Sequence, residues 1–345
     1  MKKLLTLSVL LLFVINEMKA QDIAQKYAAT ITQEDLRKHL SIIASDDMEG
    51  RETTKPGQYK AARYLASEFE KLGLKKIVAL GDYKSYFQWF DVYVNGKSQR
   101  LALKENQKPD DYEIKSSMNV IGLLEGSTHP EEYIVISAHY DHIGINRKGE
   151  INNGADDDGS GTSAVLEIAE AFITAKKEGK GPERSILFLL VSGEEKGLLG
   201  SAYFTDKSSL IPLNAIVCNL NIDMIGRQDE KHKSDEYVYL IGADKLSNDL
   251  DKISKAVNKK YINYELDYTY NDEKDPNRFY YRSDHYNFAK NNIPVIFFFS
   301  GVHEDYHKPG DDIEKILFPK YSKIVQLVFH IAWEVSNRPK PLRLN

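Results

Sequence analysis

The chain has 345 residues, 42% of them hydrophobic, and a formal net charge of −5. This length suits one large α/β domain, and the modest negative charge without basic blocks argues against nucleic acid or anionic lipid as a partner. The single cysteine, Cys218, excludes an internal disulfide, so the fold must be held by its hydrophobic core rather than by disulfides.

The first twenty residues have the pattern of an export signal. Two lysines form a basic start, Leu4–Ile15 is apolar but too short to span a bilayer, and Ala20 offers a small residue for cleavage. The alternative, a buried N-terminal helix, is disfavoured by the polar residues 16–21. We therefore expect residues 1–20 to be a signal peptide. The mature chain would be exported to the periplasm or secreted, without a membrane anchor.

The N-terminal part of the mature chain is predicted to be helical. Gln33–Ser45 and Gln58–Leu72 have apolar residues at helical spacing, and the polar segment Asp46–Gly57 separates them. Tyr86–Val94 alternates as a strand does, and a hairpin signal follows it. The stretch from about residue 80 to 117 is expected to be a small insert or cap within a single domain of residues 21–345.

From Asn119 onward, predicted strands and helices alternate. This pattern indicates an α/β fold with a central, mostly parallel mixed sheet and helices on both faces. The expected strands are Asn119–Leu124, Tyr133–Ala138, Ser185–Val191, Ala215–Ile222, Tyr237–Ile241 and Pro294–Phe299, and the expected helices are Thr162–Lys177, Leu198–Phe204, Lys245–Val257 and Phe318–Val335. The first two of these strands are expected to pair with each other.

Side chains of metal-ligand type follow several of these strands. His139 ends one strand, Glu194–Glu195 follows a second, Asp223 ends a third, and His307 lies in the loop after the last. A Gly-rich turn over residues 154–161, GADDDGSG, adds three aspartates whose repulsion a cation would relieve. Each feature alone has an ordinary structural explanation. Because ligands bind at the carboxyl ends of strands in open α/β sheets, together they predict a metal site.

The adjacent glutamates suggest a division of roles. One of them could bind metal, while the other stays free as a base, and this combination suits hydrolysis. Mixed nitrogen and oxygen ligands with an open position favour zinc, with cobalt or manganese as alternatives. Asp141 could fix the tautomer of His139 from behind.

The ordered set of motifs resembles that of the M28 family of zinc aminopeptidases. The motifs are HYD (His139–Asp141), GADDDGSG (154–161), GEE (Gly193–Glu195), NID (Asn221–Asp223), SDH (Ser283–His285) and YHKPGD (Tyr306–Asp311). The match covers Asn119 to the C-terminus. It is specific through the joint order and spacing of the motifs, since no single motif is specific.

The resemblance implies a pair of zinc ions bridged by Asp157. His139 and Asp223 would complete the ligands of one ion, and Glu195 and His307 those of the other. Three carboxylates against two Zn²⁺ leave one positive charge, which a bridging hydroxide would neutralise while serving as the nucleophile.

The resemblance also implies further roles. Glu194 would be the general base, with Asp141 supporting His139. Tyr280 is similar to a tyrosine that steadies the oxyanion in some relatives, although Tyr281 is an alternative and a packing role is equally compatible with the sequence.

The implied fold is that of the zinc-dependent exopeptidases. The peptide bond between Asp157 and Asp158 is expected to be cis, and Asp284 and His285 are expected to support the pocket rather than bind metal. The short segment 75–117 argues against an inserted protease-associated domain.

The expected function is therefore an exported aminopeptidase that acts on peptides. A single-zinc, glutaminyl cyclase-like enzyme shares the fold and remains an alternative, as does a carboxypeptidase, for which Arg278 and Arg282 could supply a basic pocket. A binding protein on a decayed peptidase fold is disfavoured because all five ligands and Glu194 are present. The preferred substrate side chain and the oligomeric state are left open.

Overall fold

The computed structural model describes residues 23–96, 98–106, 108 and 110–345, so the expected signal peptide lies outside the described residues. The strands are β1 (Val78–Leu80), β2 (Tyr83–Ser85), β3 (Phe87–Asn95), β4 (Leu101–Leu103), β5 (Tyr112–Leu124), β6 (His129–His139), β7 (Arg184–Val191), β8 (Ile216–Ile222), β9 (Tyr237–Ile241), β10 (Glu265–Asp267) and β11 (Val295–Phe299). The main helices are α1 (Gln33–Ile43), α2 (Pro56–Leu72), α3 (Gly161–Lys177), α4 (Leu199–Ala202), α5 (Asn248–Val257), α6 (His285–Ala289) and α7 (Phe318–Asn337).

Nine strands form one mixed sheet in the order β10-β9-β11-β8-β6-β7-β5-β3-β4, and β1 and β2 form a separate antiparallel pair. The four central strands, β11, β8, β6 and β7, run parallel to one another. On one side β5, β3 and β4 continue antiparallel, and on the other β9 is antiparallel to β11. The predicted fold class is confirmed.

The two faces of the sheet carry separate hydrophobic layers. Along β7, Ile186, Phe188 and Leu190 point into one layer, and the alternate residues Leu187 and Leu189 point into the other. This period of two explains why β7 is apolar from Ile186 to Val191 and buried on both faces.

Helices cover both layers. On one face Phe172 of α3 packs against Phe329 of α7, with ring centroids 4.7 Å apart. On the other face Phe204 packs against Phe288 of α6 at 5.8 Å. Within the described part of the chain, no helix combines the length and the apolarity needed to cross a membrane.

The sheet order corrects one sequence prediction. Asn119–Leu124 and Tyr133–Ala138 lie in β5 and β6, but β7 separates them and pairs with both. A strand that is apolar on both faces is most stable in the sheet interior, with a neighbour on each side. Part of the segment expected as an insert, residues 80–117, continues the main sheet, because β3 pairs with β5 from Phe87↔Val120 to Asn95↔Tyr112.

Candidate metal centre

The site lies at the carboxyl ends of the parallel strands. His139 is the last residue of β6, Asp223 directly follows β8, and Glu194–Glu195 follows β7 by a short turn. Asp157 comes from the turn before α3, and His307 from the loop after β11. Their side chains converge on one cavity because the ends of adjacent parallel strands meet at one edge of the sheet.

The first group of candidate ligands, here called the first ligand group, consists of His139, Asp157 and Asp223. The Nε2 atom of His139 is 3.3 Å from Asp157 Oδ1 and 3.6 Å from Asp223 Oδ1. The opposite face of Asp223 is fixed by Ser283, whose hydroxyl donates to Oδ2 at 2.6 Å. All three side chains are almost completely buried.

The second group shares Asp157 with the first. The Nε2 atom of His307 is 3.1 Å from Asp157 Oδ2 and 3.3 Å from Glu195 Oε2. Asp157 Oδ2 is buried and has no hydrogen-bond partner among the described residues. Two ligand atoms that are each about 2.0–2.2 Å from one zinc ion are themselves roughly 3–4 Å apart, so both groups have suitable spacing for a metal ion.

The histidines and carboxylates in the cavity shift one another's pKa values. Burial alone lowers the pKa of His307, yet the close approach of the Asp157 and Glu195 carboxylates raises it to about 10. Burial alone raises the pKa of Glu195, and its contacts with His142 and His307 bring it down to about 2. The neighbouring imidazoles thus favour the ionised carboxylates, and a divalent cation at the same place would have the same effect.

Glu194 lines the same cavity but belongs to neither group. Its backbone N–H donates to Asp141 Oδ1 at 3.2 Å, which holds the turn after β7 in place. Burial raises the pKa of Glu194 well above its usual range, and the charges of Glu195 and Asp223 add to the effect, while His139 opposes it. A carboxyl group of this kind is suited to accept and release protons.

Asp141 lies behind His139, as expected, but the contact differs in detail. The Nδ1 atom of His139 is 3.0 Å from the backbone carbonyl of Asp141 and 3.8 Å from its carboxylate. The carboxylate instead accepts from Thr53 Oγ1 at 2.7 Å and from the Glu194 amide. Asp141 thereby couples the orientation of His139 to the position of Glu194.

Tyr280 is not among the residues that line the cavity. It packs edge-on against His285 and Tyr281, with ring centroids 5.6 and 5.2 Å away. Its oxyanion role stays a prediction. Tyr306, which the sequence reasoning did not single out, does line the cavity and stacks on His307 at 3.8 Å. Its position beside a ligand histidine was the available signal.

The remaining cavity wall is mostly apolar, with one cation. Met224, Phe279, Phe297, Phe299 and Val302 line it together with Arg282. The Arg282 guanidinium donates to Tyr306 Oη at 3.2 Å and lies 5.1 Å from the Phe279 ring centre. Arg278 lies over the Tyr281 ring instead and is not part of this wall.

Arg51 is a supporting residue that the sequence reasoning missed. It is fully buried, and its guanidinium donates to four backbone carbonyls, those of Tyr140 (2.8 Å), Ile43 (2.7 Å), Asn153 (2.6 Å) and Gly154 (2.9 Å). It therefore ties the end of α1 to the segment after His139 and to the segment before Asp157, which carry two of the three first-group residues. Arg51 lies in the polar segment Asp46–Gly57, for which the sequence indicated no role.

Asp311 supports the aspartate turn from the other side. Its carboxylate accepts from the backbone N–H groups of Asp156 at 3.1 Å and Asp157 at 3.0 Å. The peptide bond between Asp157 and Asp158 is cis, which confirms that expectation. Asp311 appeared in the YHKPGD motif, but its position in sequence gave no indication of this contact.

His142 is a third histidine in the cavity region. It is fully buried, and its Nδ1 atom is 2.8 Å from Glu195 Oε1 and 3.7 Å from Asp157 Oδ2. The sequence reasoning passed over it, although it follows the HYD motif directly.

The model of peptidase family M28 matches residues 119–332 of this chain. Aminopeptidase YwaD of Bacillus subtilis (strain 168) is 30% identical over 234 residues, which cover 66% of this chain and 46% of YwaD. The chain thus spans about half of that relative's length. A probable leucine aminopeptidase of Trichophyton verrucosum (strain HKI 0517) is 32% identical over 310 residues, which cover 82% of this chain and 81% of the relative.

Solved structures have the same fold. BSAP, a zinc aminopeptidase from Bacillus subtilis, aligns with a TM-score of 0.67 at 18% identity, covering 90% of this chain and 96% of that one. A Zn-dependent exopeptidase from Parabacteroides distasonis ATCC 8503 aligns with a TM-score of 0.64 at 16% identity, covering 88% and 98%. With the family model matching more than half of its length, the chain belongs to peptidase family M28.

Proposed function

We propose that this protein is a zinc-dependent aminopeptidase that removes N-terminal residues from peptides. The observation that carries the proposal is the position of Asp157, whose two carboxylate oxygens face different ligand groups. Glu194 lines the same cavity. Two of the relatives compared above are named as aminopeptidases.

The residues present fit two zinc ions. His139 and Asp223 would hold one ion and Glu195 and His307 the other, with Asp157 shared by both. When bound, zinc supplies Lewis acidity, which activates water and polarises the peptide carbonyl.

The chain's own groups would manage protons and charge. Glu194 accepts a proton from the attacking water and passes it to the departing amine. Tyr306 is kept protonated, because burial raises its pKa and the charge of Asp157 adds to this. Its hydroxyl can donate a hydrogen bond to the oxygen of the scissile carbonyl.

The cavity wall suggests which side chains enter. Phe279, Phe297 and Phe299 form an aromatic surface beside the ligand groups, which suits an apolar N-terminal residue. Arg282 at the same wall keeps a carboxypeptidase as the second candidate, because its guanidinium could bind the carboxylate of a substrate. Among the described residues, none makes an ion pair with it.

The test is a substrate panel with and without chelator, combined with zinc analysis of the purified protein. We expect two zinc ions per chain and chelator-sensitive release of N-terminal residues from peptides with a free amine. Cleavage of N-blocked peptides from the C-terminus would favour the carboxypeptidase. One zinc per chain with cyclisation of N-terminal glutamine would favour the cyclase and overturn the proposal.

Export is a separate part of the proposal. The basic start, the short apolar stretch and Ala20 support it. N-terminal sequencing of the mature protein after cell fractionation should find a start near residue 21 outside the cytoplasm. An intact N-terminus in the cytoplasmic fraction would contradict export and leave the peptidase proposal unaffected.

A further inference from the structure

We propose that His142 is a sixth metal-binding residue, which binds the ion of the Glu195 and His307 group through Nδ1. The inference rests on the zinc-dependent function proposed above. It goes beyond the five-ligand set that the family motifs imply, and it makes the two metal positions chemically unequal.

The first argument is distance. His142 Nδ1 is 2.8 Å from Glu195 Oε1 and 3.7 Å from Asp157 Oδ2. His307 approaches the same two carboxylates, at 3.3 and 3.1 Å. All four separations fall close to the roughly 3–4 Å expected between atoms that share one zinc ion. His142, Asp157 and Glu195 also place one ligand atom each within 4.8 Å of one another.

The second argument is rigidity. The His142 side chain is fully buried, and its backbone N–H donates to the Arg51 carbonyl at 3.3 Å. Gly154 packs against the ring so closely that an added Cβ would lie 2.5 Å from His142 Cδ2. The ring is thus packed against Gly154 and the backbone of His142 is held by Arg51, so Nδ1 is preorganised toward the carboxylates.

The third argument concerns the carboxylate oxygens. His142 Nδ1 lies 2.8 Å from Glu195 Oε1 and 3.7 Å from Asp157 Oδ2, which is buried without a hydrogen-bond partner among the described residues. A cation between Nδ1, Glu195 and Asp157 accounts for all three groups at once.

The ligand count then differs between the two positions. His139, Asp157 and Asp223 supply three protein ligands to one ion, whereas His142, His307, Glu195 and Asp157 supply four to the other. Zinc with three protein ligands keeps an open position for water or substrate, and zinc with four is closed. The open position would therefore be on the His139 side, and the nucleophilic water would belong to that ion rather than bridge both ions as the family resemblance implies.

The experiment compares the full mature chain with His142→Ala and His142→Asn. Asparagine keeps a side-chain N–H that can donate to Glu195 but removes the imidazole nitrogen. His330→Asn is the matched control, because this buried histidine stacks on Tyr261 at 3.8 Å and is not among the residues that line the cavity. Zinc affinity is measured by chelator competition, and thermal unfolding of the zinc-free proteins checks that each variant folds.

We expect both His142 variants to bind one of the two zinc ions at least about a hundredfold more weakly, a larger loss than the 10–100-fold range of supporting residues. The control should bind both ions normally. X-ray absorption of the zinc-loaded wild type should show three imidazoles for two ions. Wild-type affinity in His142→Asn would overturn metal binding by His142 and leave it as a hydrogen-bond donor.

The two proposals fail in different ways. A wild type that binds no zinc overturns both. A wild type that binds zinc but does not hydrolyse peptides overturns the function alone, and the zinc affinities of the variants still decide the role of His142.

Discussion

Three aspartates follow one another in the turn before α3, and each has different partners. Asp156 accepts from the Gly226 amide at 2.6 Å, and Asp158 accepts from the Gly161 amide at 2.8 Å. Only Asp157 places both oxygens against ligand groups. The sequence showed a cluster of acidic residues here, and the family resemblance singled out Asp157. The partners of its neighbours depend on loops far away in sequence, which no local pattern reveals.

Glu194 provides the most direct test at the scale of one residue. Replacing it with glutamine keeps the shape but removes the proton acceptor, so turnover should fall by a factor of about 10²–10⁴ or more. Zinc content should not change, because Glu194 belongs to neither ligand group. Steady-state kinetics and metal analysis of the same preparation check both parts, and near-normal turnover would refute the assigned role.

At the scale of elements, the apolar runs and helical spacings predicted most boundaries within a few residues. Tyr237–Ile241 is a strand with the predicted bounds, and α3 begins one residue before the predicted Thr162. The predicted pairing of β5 with β6 was wrong, because the order of strands in a sheet depends on tertiary contacts. No local pattern in the sequence shows that β7 lies between these two strands. The polar segment Asp46–Gly57 was uninterpretable for a similar reason, because all of Arg51's hydrogen-bond partners come from other elements.

Arg51→Lys tests the link between those elements. Lysine is shorter in reach and lacks the planar fork, so at least some of the four buried carbonyls would lose their partner. Each unsatisfied buried group costs about 1–3 kcal/mol, and we expect a loss of several kcal/mol in the free energy of unfolding. Denaturant titration measures it. Exposed Arg343, which pairs with Asp249, provides the control Arg343→Lys, which should have little effect.

Lys320 near the start of α7 gives a pH-dependent prediction. It is fully buried, its Nζ lies 3.4 Å from the centre of the Tyr237 ring, and it has no hydrogen-bond partner among the described residues. Burial lowers its pKa to about 7, against the opposing charges of Asp156, Asp229 and Asp235.

Between this pKa and about 10.4, the unfolded chain binds more protons at Lys320 than the folded chain does, so stability rises with pH. Relative to Lys320→Met, the wild type should gain on the order of 3 kcal/mol from pH 7 to pH 10. Urea unfolding of both proteins across this range measures the difference, in which shared contributions of other groups cancel. If the difference in the free energy of unfolding between the two proteins stayed constant with pH, the lowered pKa of Lys320 would be contradicted.

At the scale of the whole molecule, the sheet brings together groups that the chain keeps far apart. The predicted strand ends converge because β6, β7 and β8 are parallel neighbours. The sequence was therefore sufficient to predict which edge of the sheet carries the candidate metal ligands. It could not supply the antiparallel extension through β3 and β4, nor the cavity wall, because these depend on how loops and edge strands pack.

Zinc removal should destabilise the entire fold. Without a cation, the buried carboxylates of Asp157, Glu195 and Asp223 repel one another. A ligand present at a thousandfold excess over its Kd stabilises the native state by about 4 kcal/mol. Chelation should thus lower Tm by several degrees, and added zinc should restore it more effectively than magnesium, since the site offers nitrogen ligands. An unchanged Tm in scanning calorimetry would contradict this.

Arg51 and Asp311, which hold the loops of the site in place, also determine when the site can form during folding. Arg51 binds the Asn153 and Gly154 carbonyls from the N-terminal side, and Asp311 binds the aspartate turn from near the C-terminus. A nascent chain thus reaches its final ligand geometry only after nearly all of it has been synthesised. Metal loading is then a late step. If the chain crosses a membrane unfolded, it arrives empty, and its zinc must come from the compartment where it folds.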